Sequence, residues 1–302
     1  MKAGLLYAAA AYLLWGLFPL YFKALQGLPA SEILAHRMTW SLLFCALLLT
    51  LLQRWKWLPG LLHRPRVLAT FVTSAALVAL NWGIYIWAVN ANHVVDASLG
   101  YFINPLVNVL IGAFVLHERL RRPQWTAVAI AAVGVTWLTW EAGHLPWIGL
   151  TLAMTWGLYG LLRKTGALGA IEGLALETAL LFPFALGYLT WLAAHGQSAF
   201  IDSSATVQWL LAALGPVTAI PLLLFAAAAR RIAFAHLGIL QYISPTLQLL
   251  TGVWLYHEPF AATRAVGYGL IGIALAIFAI DGLWQLRSRI TPVRAAGATS
   301  RD

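Results

Sequence analysis

The sequence predicts an all-α polytopic membrane protein with ten transmembrane helices in two inverted five-helix repeats. Three observations lead to that fold class. The composition is too poor in charge for a water-covered surface. Ten apolar segments alternate with basic residues that gather on one side. One segment is written twice, and its two copies end on opposite faces.

The chain has 302 residues, 61% of them hydrophobic and 10% charged, with a mean hydropathy of +0.79. A soluble domain carries about 25% charged residues, so the bulk solvent of this chain is expected to be lipid. The net charge of +9 invites a nucleic-acid reading, but the basic residues are scattered and form no stripe or motif. Cys45, the single cysteine, lies in LLFCALLL as a small apolar filler; alone it excludes an internal disulfide and a cysteine metal cluster. The eight histidines are dispersed, and HExxH, GxSxG and P-loop patterns are absent, so neither a metal site, a cofactor nor an enzyme is expected.

The apolar segments fall near residues 4–22, 34–52, 68–90, 96–116, 124–140, 147–162, 171–194, 207–229, 236–256 and 265–284. Each approaches the length needed to cross a hydrocarbon core of about 30 Å. The first runs on from Lys2 through Trp15 to Tyr21 without a small-residue cleavage site, so it is expected to stay as the first span. With the N-terminus inside, the inner loops receive sixteen of the nineteen Lys and Arg residues; only Lys23, Arg37 and Arg264 remain outside. The positive-inside rule then sets both termini in the cytoplasm.

Residues 101–120, YFINPLVNVLIGAFVLHERL, return as 241–260, QYISPTLQLLTGVWLYHEPF. Ile103/Ile243, Pro105/Pro245, Leu110/Leu250, Gly112/Gly252, His117/His257 and Glu118/Glu258 coincide at an offset of 140, and Asn108 faces Gln248. A weaker match sets Trp15-Gly16 against Trp156-Gly157 at an offset of 141. Spans one and four thus correspond to six and nine, dividing the chain into residues 1–141 and 142–302, the latter with a basic tail from about 287. Five crossings per half invert the second copy. Inverted halves can exchange conformations to face either side around a midplane site, as secondary transporters do; a static scaffold is the plainer alternative.

The stretches AYLLWGLFPLYFKAL, SEILAHRMTWS, NWGIYIWAVN, SLGYFINPLVNVLIGAFVLHERL, WGLYGLLRK, GPVTAIPLLLFAAAARR and LGILQYISPTLQLL resemble the RarD type of the EamA family, within the drug/metabolite transporter superfamily. The resemblance covers most of the chain. It implies ten helices, two inverted repeats, a cytoplasmic-membrane location and permeation or export of metabolites or drugs, with chloramphenicol sensitivity associated by name. His117 in LHERL departs from the apolar or small residue expected before the glutamate.

Candidate functional residues follow from polarity inside apolar spans. Asn104, Pro105 and Asn108 sit near the middle of span four, and Ser244, Pro245 and Gln248 repeat them in span nine. Proline removes a backbone donor and frees a carbonyl, which makes Pro105 and Pro245 candidates for helix breaks or hinges. The amides either line a cavity or glue helices together, and their inverted pairing favours the cavity. Tyr101 and Gln241 are equivalent, with Tyr242 beside the latter; Trp15, Tyr21, Trp82, Tyr85, Trp156 and Tyr159 add aromatic surface suited to an organic solute. Each of these aromatics taken singly reads equally as interface belt or packing.

Ionisable residues in lipid cost roughly 2.5–3.5 kcal/mol at a helix centre and call for a role. Arg37 is a candidate for an anionic or carbonyl group, or for a structural ion pair. Glu177 is the leading proton-coupling candidate if it faces the cavity, and otherwise a group satisfied across a helix seam. Glu32 and His36, spaced i,i+4, are further candidates. Asp96 reads as an N-cap, and His117/Glu118 with His257/Glu258 read as gates or end caps on the two faces. The expected partners are a small organic solute and the lipid bilayer, with no nucleic acid. A lipid or lipid-linked headgroup flippase and a passive channel stand as alternatives, and monomer and homodimer are both open.

Overall fold

A computed structural model describes residues 2–61, 63–91, 93–143, 145–255 and 262–288. Among them there is no strand. The first half comprises α1 (Lys2–Gly16), α2 (Phe18–Lys23), α3 (Ala30–Leu51), α4 (Pro65–Asn90), α5 (Val94–Leu110) and α6 (Arg122–Ala142). The second comprises α7 (Trp147–Thr165), α8 (Ala170–Ala194), α9 (Ala199–Asp202), α10 (Ala205–Ala229), α11 (Phe234–Leu240), α12 (Ile243–Leu250) and α13 (Ala262–Ser288). The described residues of the ten apolar segments fall largely on these helices and on the π-helical turns that follow α5 and α12. Five described stretches are long and apolar enough to cross a membrane: Lys2–Lys23, Ala30–Leu51, Pro65–Ala88, Ala170–Ala194 and Ala205–Ala229. Shorter apolar helices cover Leu99–Val115 and Ala265–Asp281.

The side chains are distributed as lipid demands. Alanines 8, 11, 153, 219, 228 and 229 are fully buried, whereas Phe184, Trp209, Trp254 and Ile280 stand exposed. Small residues let helices approach where no hydrophobic effect pulls them together. Hydroxyls of Thr50, Thr73, Thr136 and Thr190 bond the carbonyl four residues back, so they need no water.

Helix pairing relates the halves. α3 packs on α8, α5 on α11 and α6 on α13. The remaining principal contacts come in pairs: α1–α10 with α4–α7, α3–α10 with α4–α8, and α5–α7 with α1–α12. Exchanging each helix of residues 1–141 for its counterpart in 142–302 returns most of this set, although α5 packs on α6 more extensively than α11 does on α13 among the described residues. Some equivalent residues touch directly: Trp15 meets Trp156 edge-on at 5.4 Å between centroids, and the Tyr242 hydroxyl donates to the carbonyl of Phe102 at 3.2 Å.

The doubled segment is alike in one respect and unlike in another. Both copies end in a π-helical turn, Ile111–Val115 and Thr251–Leu255, at the same repeat position. Pro105, however, lies inside a continuous α5 and does not break it. In the second copy α11 stops before Gln241 and Tyr242, and Pro245 sits in the first turn of α12. A missing N–H costs little there, because first-turn donors have no intrahelical partner.

α5 and α11 cross at Gly238, where an added Cβ would lie 2.7 Å from the Pro105 carbonyl oxygen and 2.9 Å from Asn108 Cβ. A backbone oxygen cannot swing aside as a side chain can. Gly238→Ala is therefore expected to cost about 1–3 kcal/mol as an overpacked contact, lowering the melting temperature in detergent. Gly83→Ala, where a Cβ meets nothing within 4 Å, is expected to leave it unchanged or raise it.

Candidate functional site

The break between α1 and α2, the start of α3, the end of α4 and the start of α5 leave a gap at one end of the bundle. A cavity of about 380 Å³ fills it, within the range of small-molecule sites. The lining includes Trp15 from α1, Arg37 from α3, Trp82 and Tyr85 from α4, Tyr101 and Asn104 from α5, and Trp156 from α7. Gln241, Ser244, Pro245 and Gln248 complete the wall opposite. Ten of the fourteen residues expected to line a cavity do so.

The other four serve the scaffold. Asn108 is fully buried one turn behind Asn104 and donates from Nδ2 to Gln241 Oε1 at 2.7 Å. Tyr242 bonds Phe102. Tyr159 stacks on Phe225 with ring planes 10° apart and donates to Glu177 at 3.3 Å. Tyr21 bonds the Leu210 carbonyl and lines a separate apolar crease of about 560 Å³ between α1, α2 and α10. The walls of that crease include exposed Leu17, Leu20 and Ile220, which mark it as part of the bundle's outer face.

Several polar atoms of the lining have no protein partner. Tyr12 Oη, Asn104 Oδ1 and Trp156 Nε1 are buried without one. Gln248 donates to the Trp15 carbonyl at 3.1 Å and to Ser244 Oγ at 3.3 Å. Asn81, which the sequence reading passed over, lines the cavity and donates to the Leu152 carbonyl and to Thr155 Oγ1, both at 2.8 Å. Its signal was present as an amide within the apolar run NWGIYIW.

The proton-coupling candidates lie away from the lining. Glu177, 1% exposed, accepts a hydrogen bond from Ser74 and pairs with Arg163 at 3.5 Å. It occupies the seam of α4, α7 and α8. Glu32 receives the amides of Ala199 and Phe200 at 3.1 Å, which caps the short α9 and ties down its loop. His36 packs on Phe200 and accepts from Trp40 Nε1 at 3.3 Å, with Glu32 3.9 Å away. Asp96 is not the N-cap: His93 holds that position and Asp96 follows in the first turn.

Opposite the cavity the bundle is closed by polar bonds. His117 takes a left-handed conformation at φ 53°, which ends the π-helical turn and sends the chain back across the bundle. Glu118 then accepts the amides of Phe234 at 2.7 Å and Ala235 at 2.9 Å, the open N-terminus of α11. An anion suits the positive end of a helix. Gly112 makes room, since a Cβ there would sit 2.7 Å from Glu118 Oε2. Lys164, unrecognised from sequence, lies 3.5 Å from Glu118 and donates to the carbonyls of Ala229 and Ile232. Arg230 reaches the carbonyls of Gly166 and Leu168. His257 and Glu258 lie outside the described residues.

Apolar spanning helices around a polar-lined cavity define a multi-pass membrane protein with room for a small solute. Residues 2–140 match the EamA-like transporter family. Protein RarD of Streptomyces exfoliatus is 48% identical over 298 residues, covering 99% of this chain and 95% of that protein. An uncharacterised transporter of Bacillus subtilis, YojE, is 46% identical over 95% of this chain and 97% of its own length. A solved crystal structure shares the fold, with a TM-score of 0.67 at 20% identity over 96% of this chain and 99% of its own. The chain belongs to the RarD type of the EamA transporter family, and is a bacterial membrane transporter of the drug/metabolite kind.

Removing the Glu177 carboxylate strands the Arg163 guanidinium in the seam. Glu177→Ala is expected to destabilise the protein by about 3–5 kcal/mol, read as a fall in melting temperature and in folded yield. Arg163→Met combined with Glu177→Met is expected to recover much of the loss. Equal melting of Glu177→Ala and wild type would remove the ion pair from the account of the fold.

Proposed function

We propose that this protein is a secondary-active carrier of small organic solutes, built from ten crossings in two inverted halves that alternate access to one central site. The observation that carries the reading is a cavity between the helices with polar bonds closing the bundle opposite it. The self-mapping packing and the touching pairs Trp15/Trp156 and Phe102/Tyr242 support the two-fold relation between halves. By the distribution of basic residues the open end faces outward and the Glu118–Lys164 end faces the cytoplasm.

Exchange of the halves then specifies the other state. Asn108 and Gln241, bonded at the closed end, are equivalent to Gln248 and Tyr101, which line the open one. In the inward-facing state Gln248 and Tyr101 close together while Asn108 and Gln241 part. The seam holding Glu177 corresponds to the one where Arg37 meets the cavity, so Glu177 becomes water-accessible only in that second state. Proton coupling through Glu177 fits this position. A passive channel fits poorly, because the closed end blocks a continuous path.

A headgroup flippase is the second reading, favoured by one feature: Phe18 lines both the cavity and the apolar crease, so lipid lies one side chain away.

Purified protein in liposomes, given a pH gradient and a panel of metabolites, tests the carrier. Saturable uptake above that of empty vesicles is expected for at least one solute. Tyr101→Cys with Gln248→Cys is expected to trap the inward-facing state on oxidation. Uptake then falls to the level of empty vesicles and returns with reductant; buried Cys45 adds little background. Undiminished uptake by the cross-linked protein would overturn alternating access. Transport without proton flux would remove proton coupling alone, and lipid movement without solute uptake would favour the flippase.

A further inference from the structure

Among the described residues, Arg37 is the one charged side chain in the cavity lining. Its guanidinium is held on three sides. Nε donates to Thr218 Oγ1 at 3.1 Å, the Trp82 ring lies 4.7 Å from Cζ, and the Phe22 ring lies 5.7 Å away. These contacts fix the plane of the fork and take up its Nε–H. The described structure gives the two terminal nitrogens no hydrogen-bond acceptor and Arg37 no carboxylate partner. The acid within reach on its own helix, Glu32, is committed to the amides of α9, and Glu177 is committed to Arg163. The alternative of a structural ion pair for Arg37 is therefore not realised among the described residues.

A cation kept in an apolar bundle without a counter-ion is costly unless something else supplies the charge. A pre-oriented guanidinium fork matches a carboxylate through two parallel N–H···O bonds. Part of the remaining wall is aromatic: Trp15, Trp82, Tyr85 and Trp156 offer ring faces and edges to a flat apolar body. Resting on the carrier reading of the same cavity, we propose that the transported solutes are planar organic carboxylates, with the carboxylate seated on the Arg37 fork and the ring between the aromatic walls.

Equilibrium binding to the purified full chain in nanodiscs tests this without requiring transport. The probes are indole-3-acetate, its uncharged amide and the cation tryptamine, which share one ring and differ in charge. Wild type is expected to bind the acid at least about tenfold more tightly than the amide, as a charge-assisted bidentate contact warrants. It is expected to bind tryptamine more weakly than either. Arg37→Gln is expected to erase the preference for the acid. Arg37→Lys is expected to retain the preference and lose several-fold in affinity, because a point charge lacks the fork.

If Arg37→Gln does not fold, the wild-type comparison across the three charges and the Arg37→Lys series still decide. Equal or tighter binding of the amide or of tryptamine, no binding of the acid at millimolar concentration, or a full preference in folded Arg37→Gln would each overturn the proposal. Acid-selective binding without uptake into liposomes would instead overturn the carrier reading and leave the site's charge selectivity standing. Uptake of a cation with no preference for acids would do the reverse.

Discussion

Inside a hydrocarbon slab a polar group can bond only to other protein groups, and the crossing of α5 on α11 and α12 is where this constraint shapes the molecule. Gly238 lets the helices approach until the Pro105 carbonyl lies against bare backbone. At that distance Asn108 reaches Gln241, and Tyr242 reaches the carbonyl of Phe102. These bonds satisfy amides that lipid would leave stranded. They also close one end of the bundle, so the space above becomes a cavity with a floor. The aromatic cluster of Tyr12, Trp15, Trp156, Tyr159 and Phe225 packs beside the crossing.

Near-symmetric sequence has produced an asymmetric structure. Asn108 and Gln248 are equivalent, yet one is buried glue and the other lines the cavity. Pro105 and Pro245 are equivalent, yet only the second follows a break in its helix. In the proposed carrier two halves that exchange roles would not both be open at once, so equivalent residues would occupy different environments in any one state. Magnitude also matters. Interhelical hydrogen bonds in membranes average about 0.6 kcal/mol, weak enough for a bond such as Asn108–Gln241 to be broken and remade in a transport cycle. The Glu118 carboxylate on the α11 amides is a charge-assisted contact and a stronger latch; its position beside Lys164 lets both ends of the contact be taken up by ions or water when it opens.

The buried acids show why an ionisable residue in a span is not by itself a site. Glu32 holds the loop leading to α9, and Glu177 balances Arg163. Both cover their cost of burial with partners from distant parts of the chain. Arg37 lacks such a partner and is met by aromatic faces and a hydroxyl. The difference between a satisfied charge and an available one lies wholly in which helices adjoin.

The sequence by itself determined the helical membrane class, the positions of the apolar segments and the doubled segment, because each is written in local composition and spacing. It also named about half of the residues that line the cavity, since amides and aromatics inside apolar runs are conspicuous wherever they end up. Tertiary structure alone decided which of those side chains face the cavity: Asn104 and Asn108 share a helix face one turn apart, and the crossing with α11 buries only the second. It alone brought Glu118 to α11 and Lys164, residues separated by long stretches of chain with no shared pattern. Only packing decided that Glu177 has a counter-charge and that Arg37 has none among the described residues, because an ion pair depends on the distance between side chains from different helices, and no local run of residues encodes that distance.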